Sequence, residues 1–277
     1  ELTDIRLCYK SGGKSGVFVN EEKIINGYAL TMFSVDFYSS TVLAFITRGR
    51  LIEFNALDWH VISSSLWVSM KCSLIAMLIV ILLGLPTGYY IARHSFKYKI
   101  FFGYFVNLPM VLPPAVIGLL LLLTYGSHGF IGRYLLAMGI KTSFSSFAVI
   151  LTFIFVSLPV FIKGVSVAFS EVDEQLETTA RILGDSPLQV FKRITFPLAK
   201  KWTHCFVIDA WTRGLSEFGA TIMFAGNLKG SEQTLPLAIY SAMESNMNNA
   251  LFISFFMFIL ALLVLVSTHL LSEERDT

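Results

Sequence analysis

Charge is scarce in this chain of 277 residues: only 14% are Asp, Glu, Lys or Arg, against about a quarter in a soluble domain. That shortage excludes an ordinary water-soluble globule, and the net charge of +2 points to neither nucleic acid nor an acidic partner. Cysteine is scarce too. The three present, Cys8, Cys72 and Cys205, are widely scattered and two lie in apolar segments, so no disulfide framework or metal spacing follows. His60, His94, His128, His204 and His269 likewise show no metal-ligand spacing. No paired acid and base, metal motif or nucleophile arrangement supports a hydrolase. Gly13-Lys14-Ser15 ends like a phosphate-binding loop, but Cys8 stands where the first glycine belongs. No β-branched strand precedes it and no helical stripe follows, so no nucleotide site is expected. Glu1 opens the chain without a methionine, which leaves the true start open. No basic region followed by an apolar core and cleavage site marks a signal peptide, so insertion is expected to rely on the spans themselves.

What the chain has in abundance is apolar length. It is 55% hydrophobic with a mean hydropathy of +0.67, which predicts an all-α polytopic membrane protein. A bilayer core of ~30 Å takes about 20 mostly apolar residues per helix. Five segments meet that requirement: residues 72–92, 100–125, 144–162, 202–225 and 250–271. Residues 59–277 therefore read as a transmembrane domain, and residues 1–58 as an N-terminal extension with no assigned role. Within the extension, 28–47 is a sixth candidate span, although Asp36 near its middle costs about 2.5–3.5 kcal/mol in lipid. An external or interfacial extension is the rival reading. Trp59, Trp67 and Trp202 lie near span ends as interfacial anchors.

The loop at 171–201 carries a charged helical hairpin. Leu176, Thr179, Ala180 and Leu183 recur on one helical face, while Glu174, Glu177 and Arg181 take the other. Gly184 suits a left-handed helix end, Ser186 offers an N-cap oxygen and Pro187 fits the first position of a second helix. In that helix Leu188, Val190, Phe191 and Ile194 form the apolar stripe, Lys192 and Arg193 the wet side, and Pro197 is expected to end it. Two apolar faces are left without a core of their own. Burying such side chains against a partner supplies roughly 1.5–3 kcal/mol each, so a protein-docking surface is expected. Basic residues cluster on the hairpin side (Arg93, Lys97, Lys99, Lys163, Lys192, Arg193, Lys200, Lys201) against Arg133, Lys141 and Lys229 on the other. This asymmetry puts the hairpin and the C-terminus in the cytosol.

The hairpin's spacing resembles the EAA loop of bacterial ABC-importer permeases: two small residues, a glycine, nine residues, isoleucine, one residue, proline. Gly184, Ile194 and Pro197 fit it. Thr178 and Thr179 depart from the usual Glu or Gln and Ala, Glu177 stands one place early, and Phe196 replaces a usual Leu. The resemblance implies that residues 177–201 couple to a cytosolic ATPase, with Glu177, Thr179, Ala180, Leu183, Gly184, Phe191, Ile194 and Pro197 at the contact.

Deeper in the fourth span, Asp209, Arg213 and Glu217 stand four residues apart on one predicted helical face, where Arg213 can pair with both acids. Ionisable groups at that depth face a bundle interior, an interface or a wet cavity. Both a translocation gate and a structural ion trio satisfy this. In the second span Pro113 and Pro114, within Asn107-Leu108-Pro109-Met110-Val111-Leu112-Pro113-Pro114, must break or kink the helix. The kink serves a hinge or gate, or static packing.

The run Arg213-Gly214-Leu215-Ser216-Glu217-Phe218-Gly219-Ala220, with Asn227 and then Thr234-Leu235-Pro236, is similar to the signature of molybdate-importer permeases. Ser216 departs from a glycine, Lys229 from a common proline and Asp209 from an apolar residue. The likeness implies the type I permease architecture of ABC importers, working as a homodimer in the bacterial inner membrane. Implied partners are a cytosolic ATP-binding subunit, which holds ATP and magnesium, an extracytoplasmic binding protein delivering molybdate or tungstate to the outer loops near 229–240, and the lipid bilayer. No cofactor, metal, catalytic residue or nucleic acid is expected in this chain. A sulfate or thiosulfate permease subunit is the alternative within the family. An ATP-independent secondary transporter or channel, using the ion trio as a relay, is the alternative outside it.

Overall fold

The computed structural model describes residues 21–49, 52–95 and 97–273, and among these it contains helices and no strand. Cys8 and the Gly13-Lys14-Ser15 run lie outside the described residues. The chain divides between Ile52 and Glu53 into two units. In the first, α1 runs Glu21–Gly49 and takes in the candidate span 28–47, with Asp36 exposed. Side chains before Val35 lie outside the described ones, and crossing by this helix stays an expectation.

The second unit is built on α2, Trp59–Arg93, and α6, Ser146–Ser170. Asp58 starts α2 by accepting the amides of His60 and Val61, a conventional N-cap. At 1.5 Å per residue, its 35 residues span about 52 Å, well beyond a ~30 Å apolar layer. The overshoot carries Arg93 past that layer. One face of α2 is a seam of small buried residues: Ser65, Ser69, Ser73, Ala76, Gly84 and Gly88. Close approach of α6 depends on the glycines: a Cβ on Gly84 would lie 2.5 Å from the Phe161 ring, and one on Gly88 3.0 Å from Val165. In lipid, such packing rather than burial of apolar area holds helices together. The seam's hydroxyls also bind neighbours. Trp211 Nε1 donates to Ser73 Oγ at 3.1 Å, and the Leu235 amide to Ser69 Oγ at 2.8 Å.

The predicted second span is not one helix. α3, Lys99–Val111, and α4, Pro114–Tyr125, meet at an angle of 112°, because Leu112 and Pro113 are both extended (ψ 140° and 138°) ahead of their following prolines. The expected kink is a full break. A short α5, Gly132–Ala137, follows. The predicted fourth span is also interrupted: α9, Phe196–Leu215, stops at Ser216, and α10, Gly219–Phe224, restarts after Phe218. The chain ends in α11, Leu235–Ser245, and α12, Met247–Glu273. Among the described residues α2, α6 and α12 are single helices long and apolar enough to cross a bilayer, and α3–α4 is a fourth if the bent pair counts as one. The expected five are thus not all met, since α9 carries Lys200, Lys201, Asp209 and Arg213.

Candidate functional site: a two-faced helical hairpin and a pair of helix breaks

The hairpin comprises α7, Glu174–Ile182, the one-turn α8, Pro187–Val190, and a widened turn, Phe191–Thr195, leading into α9. Asp173 caps α7 through the Gln175 amide. α7 ends as the sequence requires: Gly184 has φ +99°, and the Asp185 amide reaches the Ala180 carbonyl at 3.1 Å, a Schellman closure. Open space surrounds the missing Cβ of Gly184, so backbone conformation rather than crowding demands glycine there. Gln189 Oε1 then accepts the Ser186 amide at 2.8 Å, half of a capping box. Pro197 does not end the hairpin. The helical run continues because the Phe196 amide reaches five residues back to the Phe191 carbonyl. That π-type turn absorbs the donor missing at Pro197, which sits in the first turn of α9.

The two faces of the hairpin differ from the expected pattern. Glu177, predicted on the wet side, is buried, as are Ala180, Val190 and Thr195. Phe191, predicted to await a partner, packs on Tyr89 (ring centroids 5.1 Å) and Phe169 (5.9 Å). Ile194 is half-buried and Thr179 exposed. The burial follows from the hairpin folding back on α2: Arg93 Nη2 lies 2.7 Å from Glu177 Oε1, and Thr195 Oγ1 donates to the same oxygen at 2.7 Å. The outer face is apolar and bare. Ile182 and Leu183 are 81% and 82% exposed, and Leu176 and Leu188 are exposed too. Sequence periodicity missed Ile182, which lies off the predicted stripe at the turn, and gave no sign that Arg93 and Thr195 would meet Glu177.

The second candidate cluster gathers at the two breaks. Gly219 abuts Pro114, its absent Cβ falling 2.8 Å from the Pro114 Cβ, and Gly118 presses on Ala220 and Met223. The structure therefore brings Pro113 and Pro114 to the start of α10. Glu217 lies beyond the end of α9, not on its face. Its Oε2 is 2.9 Å from Arg213 Nη1, and its Oε1 accepts the Ala220 amide at 3.0 Å, capping α10. Glu217 is 2% exposed, whereas the Arg213 side chain is 40% exposed beside the break. Among the described residues Arg213 pairs with Glu217 and not with Asp209. Asp209 instead lines a cavity of about 630 Å³ between α9 and α12, with Trp202, Phe206 and His269. Arg213 pairs across the end of α9 with Glu217, and Asp209, one turn back on the same helix, is left facing the α12 side.

A family described as "Binding-protein-dependent transport system inner membrane component" matches residues 84–273, from the α2 seam through the hairpin and both breaks. This chain belongs to that family. Among relatives of this transport component, "Molybdenum transport system permease protein ModB" of Haemophilus influenzae is 36% identical over 66% of this chain and 80% of its own length. "Probable transport system permease protein NifC" of Clostridium pasteurianum is 35% identical over 76% and 73%. "Probable sulfate transport system permease protein cysT" of Prototheca wickerhamii is 34% identical over 64% and 69%. In fold, the transport component is similar to a bacterial ABC transporter involved in the import of alginate, with TM-score 0.69 over 92% of this chain and 98% of that one at 14% identity.

Proposed function

We propose that this chain is the permease subunit of an ATP-driven importer that carries molybdate, or its congener tungstate, across the bacterial inner membrane. The observation that carries the coupling mechanism is the bare apolar outer face of the hairpin, Ile182, Leu183 and Leu188, mounted on a buried polar anchor. A monomeric surface seldom leaves large aliphatic side chains grouped at a tight turn unless a partner covers them. A cytosolic ATP-binding subunit, holding ATP and magnesium, is that partner in this reading, and Glu177 serves from inside rather than at the contact. The excess of Lys and Arg on the hairpin side favours its cytosolic placement, with the C-terminus of α12. Molybdate is favoured by kinship with proteins named for molybdenum transport.

A second copy of the chain completes the pathway in this reading, since the spans of one chain, up to four among the described residues by length and composition, make half a channel. The breaks at Leu112-Pro113 and Ser216–Phe218 line it, presenting Arg213 to a dianion delivered by an extracytoplasmic binding protein. Broken helices are tolerated at membrane depth where they face protein or a wet cavity. Alternating access requires the two nucleotide states of the ATPase to hold the hairpin differently, because a partner binding both states alike shifts nothing.

Reconstitution into proteoliposomes with the ATP-binding subunit and the binding protein tests the reading. Uptake of labelled molybdate that needs ATP and withstands a hundredfold excess of sulfate is expected. Equal competition by sulfate moves the substrate to the sulfate group, and uptake without ATP refutes the coupling mechanism.

A further inference from the structure

The anchor beneath the hairpin is more elaborate than holding a loop in place requires. Arg93, the last residue of α2, sends Nε and Nη2 to Glu177 Oε1 at 3.0 and 2.7 Å, and Nη2 also donates to the Val172 carbonyl at 2.9 Å. Thr195, in the widened turn before α9, donates to the same Glu177 oxygen at 2.7 Å. Arg181 approaches the other Glu177 oxygen at 3.7 Å from one turn along α7. The pair is sealed: the side chains of Arg93 and Glu177 are 6% and 4% exposed. Tyr89, Phe169 and Phe191 stack edge to face alongside, one ring each from α2, α6 and the widened turn.

Three chain segments thus converge on one carboxylate: the end of α2, the first turns of α7 and the turn that becomes α9. A charge pair buried to this degree resists separation, because neither ion regains water when the other leaves. The hairpin therefore cannot tilt without dragging the end of α2. α2 in turn packs closely on α6 in its last turns, at Gly84 and Gly88. Among the described residues none in α3 is buried.

We propose that Arg93, Glu177 and Thr195 form the joint through which displacement of the hairpin turns α2 and α6 as one body, making Arg93 a positioning residue for transport. This rests on the coupling role proposed above. The bare outer face receives the push and the buried joint delivers it. Removing the joint disconnects hydrolysis from transport while leaving the outer face, and so the bound ATPase, in place.

The test uses the full complex in proteoliposomes and reads three quantities: ATP-binding subunit retained, ATP hydrolysed, and molybdate taken up per ATP. For Arg93→Met, retained subunit and hydrolysis within threefold of wild type are expected, with uptake per ATP reduced tenfold or more. The conservative Arg93→Lys, which keeps a cation beside Glu177, is expected to retain at least a third of the wild-type ratio. A merely structural role would lower the amount of complex without moving uptake per ATP. If Arg93→Met fails to accumulate, Glu177→Gln, which keeps an acceptor for Thr195 and Arg93 but removes the charge, is read the same way. A wild-type ratio in whichever variant accumulates overturns the joint. Leu183→Asp in parallel separates the two ideas: loss of the subunit there with an unchanged ratio in Arg93→Met overturns the joint alone, while retention of the subunit in Leu183→Asp overturns the docking role on which the joint rests.

Discussion

Truncating Leu183 should weaken docking of the ATP-binding subunit without disturbing the permease fold. The side chain is 82% exposed, so almost all of its apolar surface is available to a partner and little of it supports its own chain. Deleting three carbons at ~0.8 kcal/mol each gives an upper figure of about 2.4 kcal/mol. Incomplete burial brings this to about 1.5–2 kcal/mol, and since 1.4 kcal/mol is tenfold in Kd, Leu183→Ala should weaken binding about 10- to 30-fold. Leu183→Asp adds an unpaired carboxylate to the contact, a further few kcal/mol, and should reduce binding beyond about a thousandfold. Leu263→Ala, at an exposed position on α12, controls for loss of apolar surface elsewhere. The assay is a titration of the ATP-binding subunit against the permease in nanodiscs. Wild-type affinity for Leu183→Asp would refute the assignment of the outer face as the docking surface.

Gly184→Ala forces a Cβ into φ +99° and should cost about 1–2 kcal/mol locally, seen as roughly 5- to 30-fold faster amide exchange in α7 with unchanged exchange in α6. Gly88→Val places methyl groups where Val165 and the Ile162 carbonyl already lie within 3.2 Å of a Cβ, and should reduce the monodisperse fraction in size-exclusion chromatography. Arg213→Met leaves the buried Glu217 carboxylate with the Ala220 amide alone, and because Arg213 is 40% exposed the loss is about 1–3 kcal/mol, visible as a lower Tm. Adding Glu217→Gln, which keeps an acceptor for the Ala220 amide, should restore most of it.

Local signals in the sequence were sound where one residue type has one physical use. Gly184 at a positive φ, the start of a second helix at Pro187 and the interruption at Pro113-Pro114 were all legible for that reason. Periodicity failed where polar residues turn inward to meet a distant segment. Glu177 looks solvated on a helical wheel, yet Arg93, 84 positions earlier, removes it from water. That Arg213 would pair with Glu217 alone was hidden because a helical wheel offers it Asp209 and Glu217 equally, and Ser216 carries no strong breaker signal for the end of α9. Pro197 misled in the opposite direction, because a π-type turn lets a helix pass a proline. Apolar length identified the helices better than their continuity.

The most direct measurement places a single cysteine at Leu183, with Cys8, Cys72 and Cys205 replaced, and follows its labelling by a membrane-impermeant maleimide. A cytosolic docking face at Leu183 gives rapid labelling in inside-out vesicles, none in right-side-out vesicles, and at least tenfold protection when the ATP-binding subunit is added. Labelling from the outside, or undiminished labelling with the subunit bound, would contradict it.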